Sequence, residues 1–344
     1  MLRAAWSRYR LDFKFLAVTS RDSMRSKDTY YIKVWDDADP GIYGIGEAAL
    51  FRGLSHDDRP GYEAKLTEVC NHPDGDHSLA EWPSIRMGLD CAMRDLSNGG
   101  HRILYPGNWT EGKSSLPING LVWMGTEEEM VARMREKVAQ GFSCIKIKIG
   151  GIDFERELAM LRALREVAPH AELRLDANGA FSPTEALGRL ERLAVYGIHS
   201  IEQPIRQGQP DEMARICRES PIPIALDEEL IGVDERHAPE LLGTIRPAYI
   251  ILKPTLVGGF GACDRWIETA QNLGIGWWAT SALESDIGLN AIAQWTASHS
   301  PTMPQGLGTG QLYTNNIPSP LKLDGDRLSY DKEREWKIPA LGWN

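Results

Sequence analysis

From Leu116 onward the apolar positions follow two alternating rhythms. Short aliphatic runs give way to stretches whose apolar residues fall three and four apart, and the pair repeats about every 27 residues. The short runs centre near residues 118, 147, 174, 201, 225, 251, 278 and 306 and read as eight strands. Helical spacing fills the seven intervals, over 126–139, 153–167, 183–196, 210–219, 234–242, 260–273 and 287–298. Strand–helix alternation at this period predicts a parallel (β/α) barrel, not an open sheet.

The first 113 residues have a different pattern. Residues 30–35 and 42–47 alternate as strands around the turn Asp39-Pro40-Gly41, which predicts a hairpin. Ile85, Leu89, Ala92, Met93 and Leu96 mark a helix over 81–96, stopped by Asn98-Gly99-Gly100. The expected organisation is an α+β domain over 1–113, a (β/α)7β barrel over 114–317, and a tail over 318–344. The tail alternates like hairpin strands at 321–330 and 336–343 and has no further helix, so it is expected to rejoin the N-terminal domain.

Composition narrows the function classes. A formal charge of −10 argues against nucleic acid or an anionic membrane as partner. No run of 18 apolar residues exists, so no helical membrane span is expected. Five cysteines without CxxC spacing read as free thiols in a reducing compartment, the cytoplasm. A homo-oligomer is compatible with the sequence and not specified by it.

Chemistry enters at the strand ends, where barrels of this kind place their active sites. The ends carry Lys146 and Lys148, then Asp176, Glu202 and Asp227, then Lys253, and after the seventh strand Glu284. A lone Asp at a strand end is more often a helix cap than a ligand. Three carboxylates on consecutive strands are harder to explain that way, because they would repel one another when buried. A hard divalent cation relieves that repulsion, and an all-oxygen set points to Mg2+. Lys146 and Lys148, two apart on one strand, face the same side and are expected to depress each other's pKa, leaving a candidate general base. Lys253 stands across the barrel. Acids and opposed lysines of this kind suit removal of a proton from carbon next to the carboxylate of a small-molecule substrate.

The motifs Lys146-Ile147-Lys148, Asp176-Ala177-Asn178-Gly179, Glu202-Gln203-Pro204, Asp227-Glu228 and Lys253-Pro254, with Gly44-Ile45-Gly46-Glu47-Ala48, resemble those of the enolase superfamily, muconate lactonizing enzyme-like subgroup. Within it, Ser281-Ala282-Leu283-Glu284-Ser285, the 290–296 helix and the glycine-rich 306–310 stretch are most similar to the o-succinylbenzoate synthases. The resemblance implies a modified TIM barrel capped by the N-terminal domain. It also implies Mg2+ held by Asp176, Glu202 and Asp227, and a syn dehydration giving o-succinylbenzoate in menaquinone biosynthesis. Lys148 would take the α-proton, Lys146 would tune it, and Lys253 would stabilise the enolate. Arg21 and Arg25 in a 20–27 lid loop, with Ser281 and Leu307, would meet the substrate. Thr29-Tyr30 and residues 51–54 are further cap candidates, and Leu121 and Trp123 are expected as apolar walls. N-succinylamino acid racemization shares the lysine frame. Dipeptide epimerases of the subgroup carry an Asp-x-Asp pair after the eighth strand, where this chain has Gln305–Gly310 and no acid.

Overall fold

The computed structural model describes residues 1–18 and 23–344. The chain opens with an antiparallel sheet of β1 (Leu2–Val18), β2 (Ser23–Asp36) and β3 (Asp39–Ala48). β1 pairs with β2 from Leu2↔Asp36 to Val18↔Ser23, with a register shift after Asp12. The mixed Arg, Trp and Tyr residues of β1 gave no strand signal in the sequence reading. They become a strand because both of its faces are covered, Trp6 packing into one core cluster and Leu11, Phe13 and Ala17, at alternating positions, into another. Two helices complete this unit, α1 (Tyr62–Asn71) and α2 (Pro83–Ser97). α2 lies unusually close to β3 because glycine faces it. A Cβ on Gly44 would stand 1.9 Å from the Ala92 carbonyl oxygen, and one on Gly46 2.0 Å from that of Gly88. Those two glycines explain much of the Gly-x-Gly-Glu motif: they bring the sheet against the helix backbone and leave Glu47 beside it.

Next comes a break that the sequence did not signal. Where one strand was expected near residue 118, there are two, β4 (Ser115–Pro117) and β5 (Gly120–Val122). β5 begins the barrel sheet, which continues through α3 (Glu127–Ala139), β6 (Cys144–Lys148), α4 (Phe154–Val167), β7 (Glu172–Asp176), α5 (Pro183–Ala194) and β8 (Ile198–Glu202). α6 (Pro210–Glu219), β9 (Ile224–Leu226), α7 (Ala238–Ile245), β10 (Tyr249–Leu252), α8 (Pro254–Val257), α9 (Phe260–Asn272), β11 (Gly276–Ala279) and α10 (Asp286–Ser298) complete it. The seven strands run in order β5 to β11, all parallel.

The eighth position is a minimal strand. Gln305 bridges to Ile118 and Gly306 to Thr280, so two residues close the ring between its first and seventh strands. Buried Gln305 also accepts a bond from the Ala279 N–H through Oε1 at 2.7 Å. The architecture is a modified TIM barrel with seven helix-linked strands and a short eighth.

β12 (Leu321–Asp324) and β13 (Arg327–Tyr330) form a hairpin that pairs with β4, not with the N-terminal sheet. Residues 336–343 form no strand. Instead Trp336, Ile338, Leu341 and Trp343 pack around Tyr31, Ile45 and Ile287, and Asn344 exchanges backbone hydrogen bonds with Trp6. Among the described residues no helix is long and apolar enough to cross a membrane. All five cysteines are free thiols, four of them buried.

Candidate active site

Inward-facing positions at the C-terminal ends of β6 to β10 hold the charged cluster. The register fixes this locally: Lys148 sits beside Asp176 and Asp176 beside Glu202 across neighbouring strands. Paired residues of parallel strands share a face, so the three side chains enter the barrel together. Lys146, Lys148, Asp176, Glu202 and Asp227 are all buried.

Lys146 Nζ bridges Asp176 Oδ2 at 2.9 Å and the Glu202 carboxylate. Lys148 Nζ reaches the same Asp176 oxygen at 2.9 Å and Asn178 Oδ1 at 2.8 Å. Lys253 pairs with Asp227. Asn178 adopts φ +45°, and its Nδ2 donates to Glu228 Oε1 at 2.9 Å, which holds the amide oxygen toward Lys148. Gln203, fully buried, accepts the N–H groups of Asp227 and Glu229 and so ties the end of β8 to the turn after β9.

The two lysines of the Lys-x-Lys pair diverge electrostatically: burial and Lys146 lower Lys148 as expected, while the net pKa of Lys146 rises. Burial lowers Lys148, and Lys146 adds to the fall against the pull of Asp176. Burial acts on Lys146 too, but Asp176 and Glu202 outweigh it and its pKa rises. The acids diverge as well. Asp176 is held below the ordinary carboxylate range, because Lys146, Lys148 and Lys253 overcome its burial. Burial, then the charges of Asp176 and Asp227, push Glu202 up to about 8.

Whether a cation suits these acids is read from the donor set. With ammonium groups between them, no three acid, His or Cys side chains stand ready-made as a metal cradle among the described residues. The electrostatics nevertheless ask for more positive charge. Glu202 is driven toward protonation between two other carboxylates, and its buried Oε1 receives no hydrogen bond among the described residues. An unsatisfied carboxylate oxygen in an all-oxygen set fits a hard divalent cation.

Above the cluster lies a cavity of about 550 Å³. Its walls include Leu121, Trp123, Phe51, Arg52, Gly53 and Leu54, together with Met24 and Phe15 of the cap. Trp123 lies under Lys148, with Nζ 5.7 Å from the ring centroid. Ser281 lines the cavity, but its hydroxyl is engaged. It donates to Glu284 Oε2 at 2.5 Å and accepts the N–H groups of Leu283 and Glu284. Glu284 takes a second bond from Thr255 and braces the loop rather than facing the cavity.

Two expected substrate contacts are corrected. Leu307 is 0% exposed and packs in the main hydrophobic core, while its neighbours Gly306 and Gly308 line the cavity. Arg25 is exposed on β2 and absent from the cavity wall, because strand alternation sends its neighbour Met24 inward. The segment expected as a 20–27 lid loop is strand from Ser23 onward. Arg21 lies outside the described residues. Thr29 and Tyr30 face opposite sides of β2, Thr29 toward Glu47 at the junction with α10 and Tyr30 toward Glu63 of α1.

Sequence reasoning missed Lys27, and it singled out Glu47 only within a motif, without the partners through which the two seat the cap. Lys27, buried, donates to the carbonyl oxygens of Ala282 and Leu283 at 3.1 Å each and more loosely to Ala49. Leu283 sits at φ +64°, a costly conformation for a leucine. Lys27, Tyr313 and Ser281 all bond its backbone and hold it there. Glu47 accepts from Thr29, from Ser285 and from the Gly288 N–H at the first turn of α10. The Gly-x-Gly-Glu motif contained this signal, but no partner was visible within reach in sequence.

The chain matches the family model described as enolase C-terminal domain-like over residues 129–330. It is 44% identical to the o-succinylbenzoate synthase of Desulfotalea psychrophila, over 95% of this chain and 98% of that protein. The L-Ala-D/L-Glu epimerase of Bacillus subtilis is 29% identical over 77% of this chain and 74% of that protein. Among solved structures, MenC from Desulfotalea psychrophila LSv54 superposes with a TM-score of 0.81 at 42% identity, covering 95% of this chain and 99% of that one. The substrate-liganded Bacillus subtilis epimerase gives 0.83 at 20% identity over 99% of each chain, a likeness of fold alone. With a family match over more than half its length and a relative this similar across nearly all of it, the chain belongs to the enolase C-terminal domain-like family.

Proposed function

We propose that the protein is an o-succinylbenzoate synthase, a lyase that dehydrates 2-succinyl-6-hydroxy-2,4-cyclohexadiene-1-carboxylate. The observation that carries this reading is the pairing of Lys148 and Lys253 around a carboxylate cluster at the floor of one cavity, in a chain 44% identical to a synthase of that name. Asp176, Glu202 and Asp227 are the residues that would hold Mg2+. When bound, the cation supplies a Lewis acid for the substrate carboxylate.

The chain's own groups supply the rest. Lys148, whose pKa burial and Lys146 lower, is the base that takes the α-proton. Asn178 and Asp176 hold its Nζ in place. Because departure is syn, the same Nζ returns its proton to the leaving hydroxyl, which exits as water and leaves the ring aromatic. Lys253, kept charged by Asp227 despite its burial, offsets negative charge developing on the far side. Trp123, Phe51 and Leu121 give the aromatic product an apolar wall and exclude water. A dipeptide's ammonium has no acid to meet in Gln305–Gly310, so the epimerase reading is the weaker one.

The substrate class is a small-molecule carboxylate, and free thiols agree with a reducing cytoplasm. The test is Mg2+-dependent loss of the cyclohexadiene substrate, followed for wild type and Lys148→Ala. A general base contributes about 10²–10⁴-fold, so the variant should lose at least that much turnover. Wild-type protein that fails to dehydrate the substrate would overturn the function; an active Lys148→Ala would overturn the assigned base.

A further inference from the structure

The carboxylates lie on the third to fifth strands, and the opposite wall of the cavity is built from the first, seventh and eighth. That wall contains a cluster of polar atoms without partners. Trp123 Nε1, Thr280 Oγ1 and Thr309 Oγ1 are buried and make no hydrogen bond among the described residues. Their residues are 5%, 9% and 6% exposed, and all three line the cavity. Trp123 follows β5, Thr280 follows β11 beside the strand of Lys253, and Thr309 follows the closing residues Gln305 and Gly306.

A buried donor left unpaired is destabilising, so folded proteins seldom keep one without a use. The surrounding polar groups are not slack in general. Ser281 and Thr255 are both bonded to Glu284, and Arg133 is held by the carbonyls of Trp123 and Met124. Trp266, Trp278 and Thr296 also carry unpaired atoms, but they lie in solid core away from the cavity. Room for the Thr280 hydroxyl depends on its neighbour. A Cβ on Gly306 would stand 2.0 Å from Thr280 Oγ1. Glycine at 306 therefore leaves the space that this hydroxyl occupies.

Two hydroxyls and an indole N–H form a donor set. They suit ligand oxygens that accept, a ketone or a carboxylate, and the indole in particular can only donate. Asn119 Oδ1, also unpaired on this wall, is an acceptor and suits a hydroxyl hydrogen instead.

We propose that Thr280, Thr309 and Trp123 form a donor subsite for the oxygen-bearing side arm of the substrate, opposite the carboxylate cluster. The ligand class is a carboxylic acid that carries a second oxo or carboxylate group on a flexible chain. This rests on the synthase reading above, in which that arm is the succinyl chain. It assigns arm recognition to side chains of the barrel wall, independently of Arg21 and Arg25.

The test is calorimetric binding, with Mg2+ present, of o-succinylbenzoate and of 2-butylbenzoate, which keeps the ring acid and the length of the arm but not its oxygens. Wild type should bind o-succinylbenzoate at least tenfold more tightly. Thr280→Val and Thr309→Val should each weaken o-succinylbenzoate five- to fiftyfold and change 2-butylbenzoate less than twofold, and Trp123→Phe, which also alters the apolar wall, should weaken o-succinylbenzoate more than 2-butylbenzoate. Thr280→Ser, which restores the hydroxyl, should bind like wild type. Variants that leave both affinities unchanged, or weaken both ligands equally, overturn the subsite and leave the synthase reading standing. Wild type that binds neither aromatic acid overturns the synthase reading and the subsite with it.

Discussion

Replacing Glu47 with alanine should loosen the cap from the barrel mouth. The carboxylate is 1% exposed and accepts four hydrogen bonds: from Thr29 Oγ1 at 2.7 Å, Ser285 N at 2.9 Å, Ser285 Oγ at 2.6 Å and Gly288 N at 2.9 Å. Three of these cross from the N-terminal sheet to the first turn of α10. Bonds to a charged group contribute about 1.5–3 kcal/mol each. Burying the carboxylate costs several kcal/mol in the other direction, and burial indeed raises its pKa despite Lys27 and Ser285. The remainder for breaking such a network by removing one member is about 3–5 kcal/mol. Lys27, itself buried, would lose a compensating charge at the same time. Glu47→Ala and Lys27→Met should therefore couple, with the double variant about 1–2 kcal/mol less destabilised than the sum of the singles. Urea unfolding followed by tryptophan fluorescence measures both quantities. A Glu47→Ala loss under about 1 kcal/mol, or strict additivity with Lys27→Met, would refute the view that this buried pair seats the cap.

Other expectations follow from the same structure. Gly46→Ala places a Cβ 2.0 Å from the Gly88 carbonyl of α2, so it should cost about 3 kcal/mol or more, read as a lower urea midpoint. Chelation with EDTA should abolish turnover and Mg2+ should restore it; full activity in chelator would remove the role given to Asp176, Glu202 and Asp227. Burial pushes Asp286 up to about 6 from an ordinary 3.8, even with Ser319 and Asn316 donating to it. A carboxyl raised in the fold stabilises below its unfolded pKa and loses that contribution as pH rises through the folded one. Asp286→Asn should therefore gain about 2 kcal/mol relative to wild type between pH 4 and pH 7, measured as the pH dependence of the unfolding free energy difference.

The sequence by itself determined the barrel and the contents of its floor. Both rest on short-range periodicity. A 27-residue strand–helix repeat needs no distant partner to be read, and a charge two positions from another on a strand must share its face. That is why Lys146, Lys148, Asp176, Glu202, Asp227 and Lys253 converge as the strand ends implied. Tertiary structure decided what lies around them. Whether Leu307 faces the cavity or the core depends on a two-residue closing strand whose register is set by Ile118 and Thr280, so the expected wall residue turns away. The first barrel strand divides at residues 118–119 because a hairpin some 200 positions later pairs with β4. Lys27 and Glu47 meet partners 256 and 238 residues away, and only folding brings an ammonium to those carbonyls and a carboxylate to that helix end. Local pattern fixes which residues a strand presents; contacts between distant segments fix what those residues face.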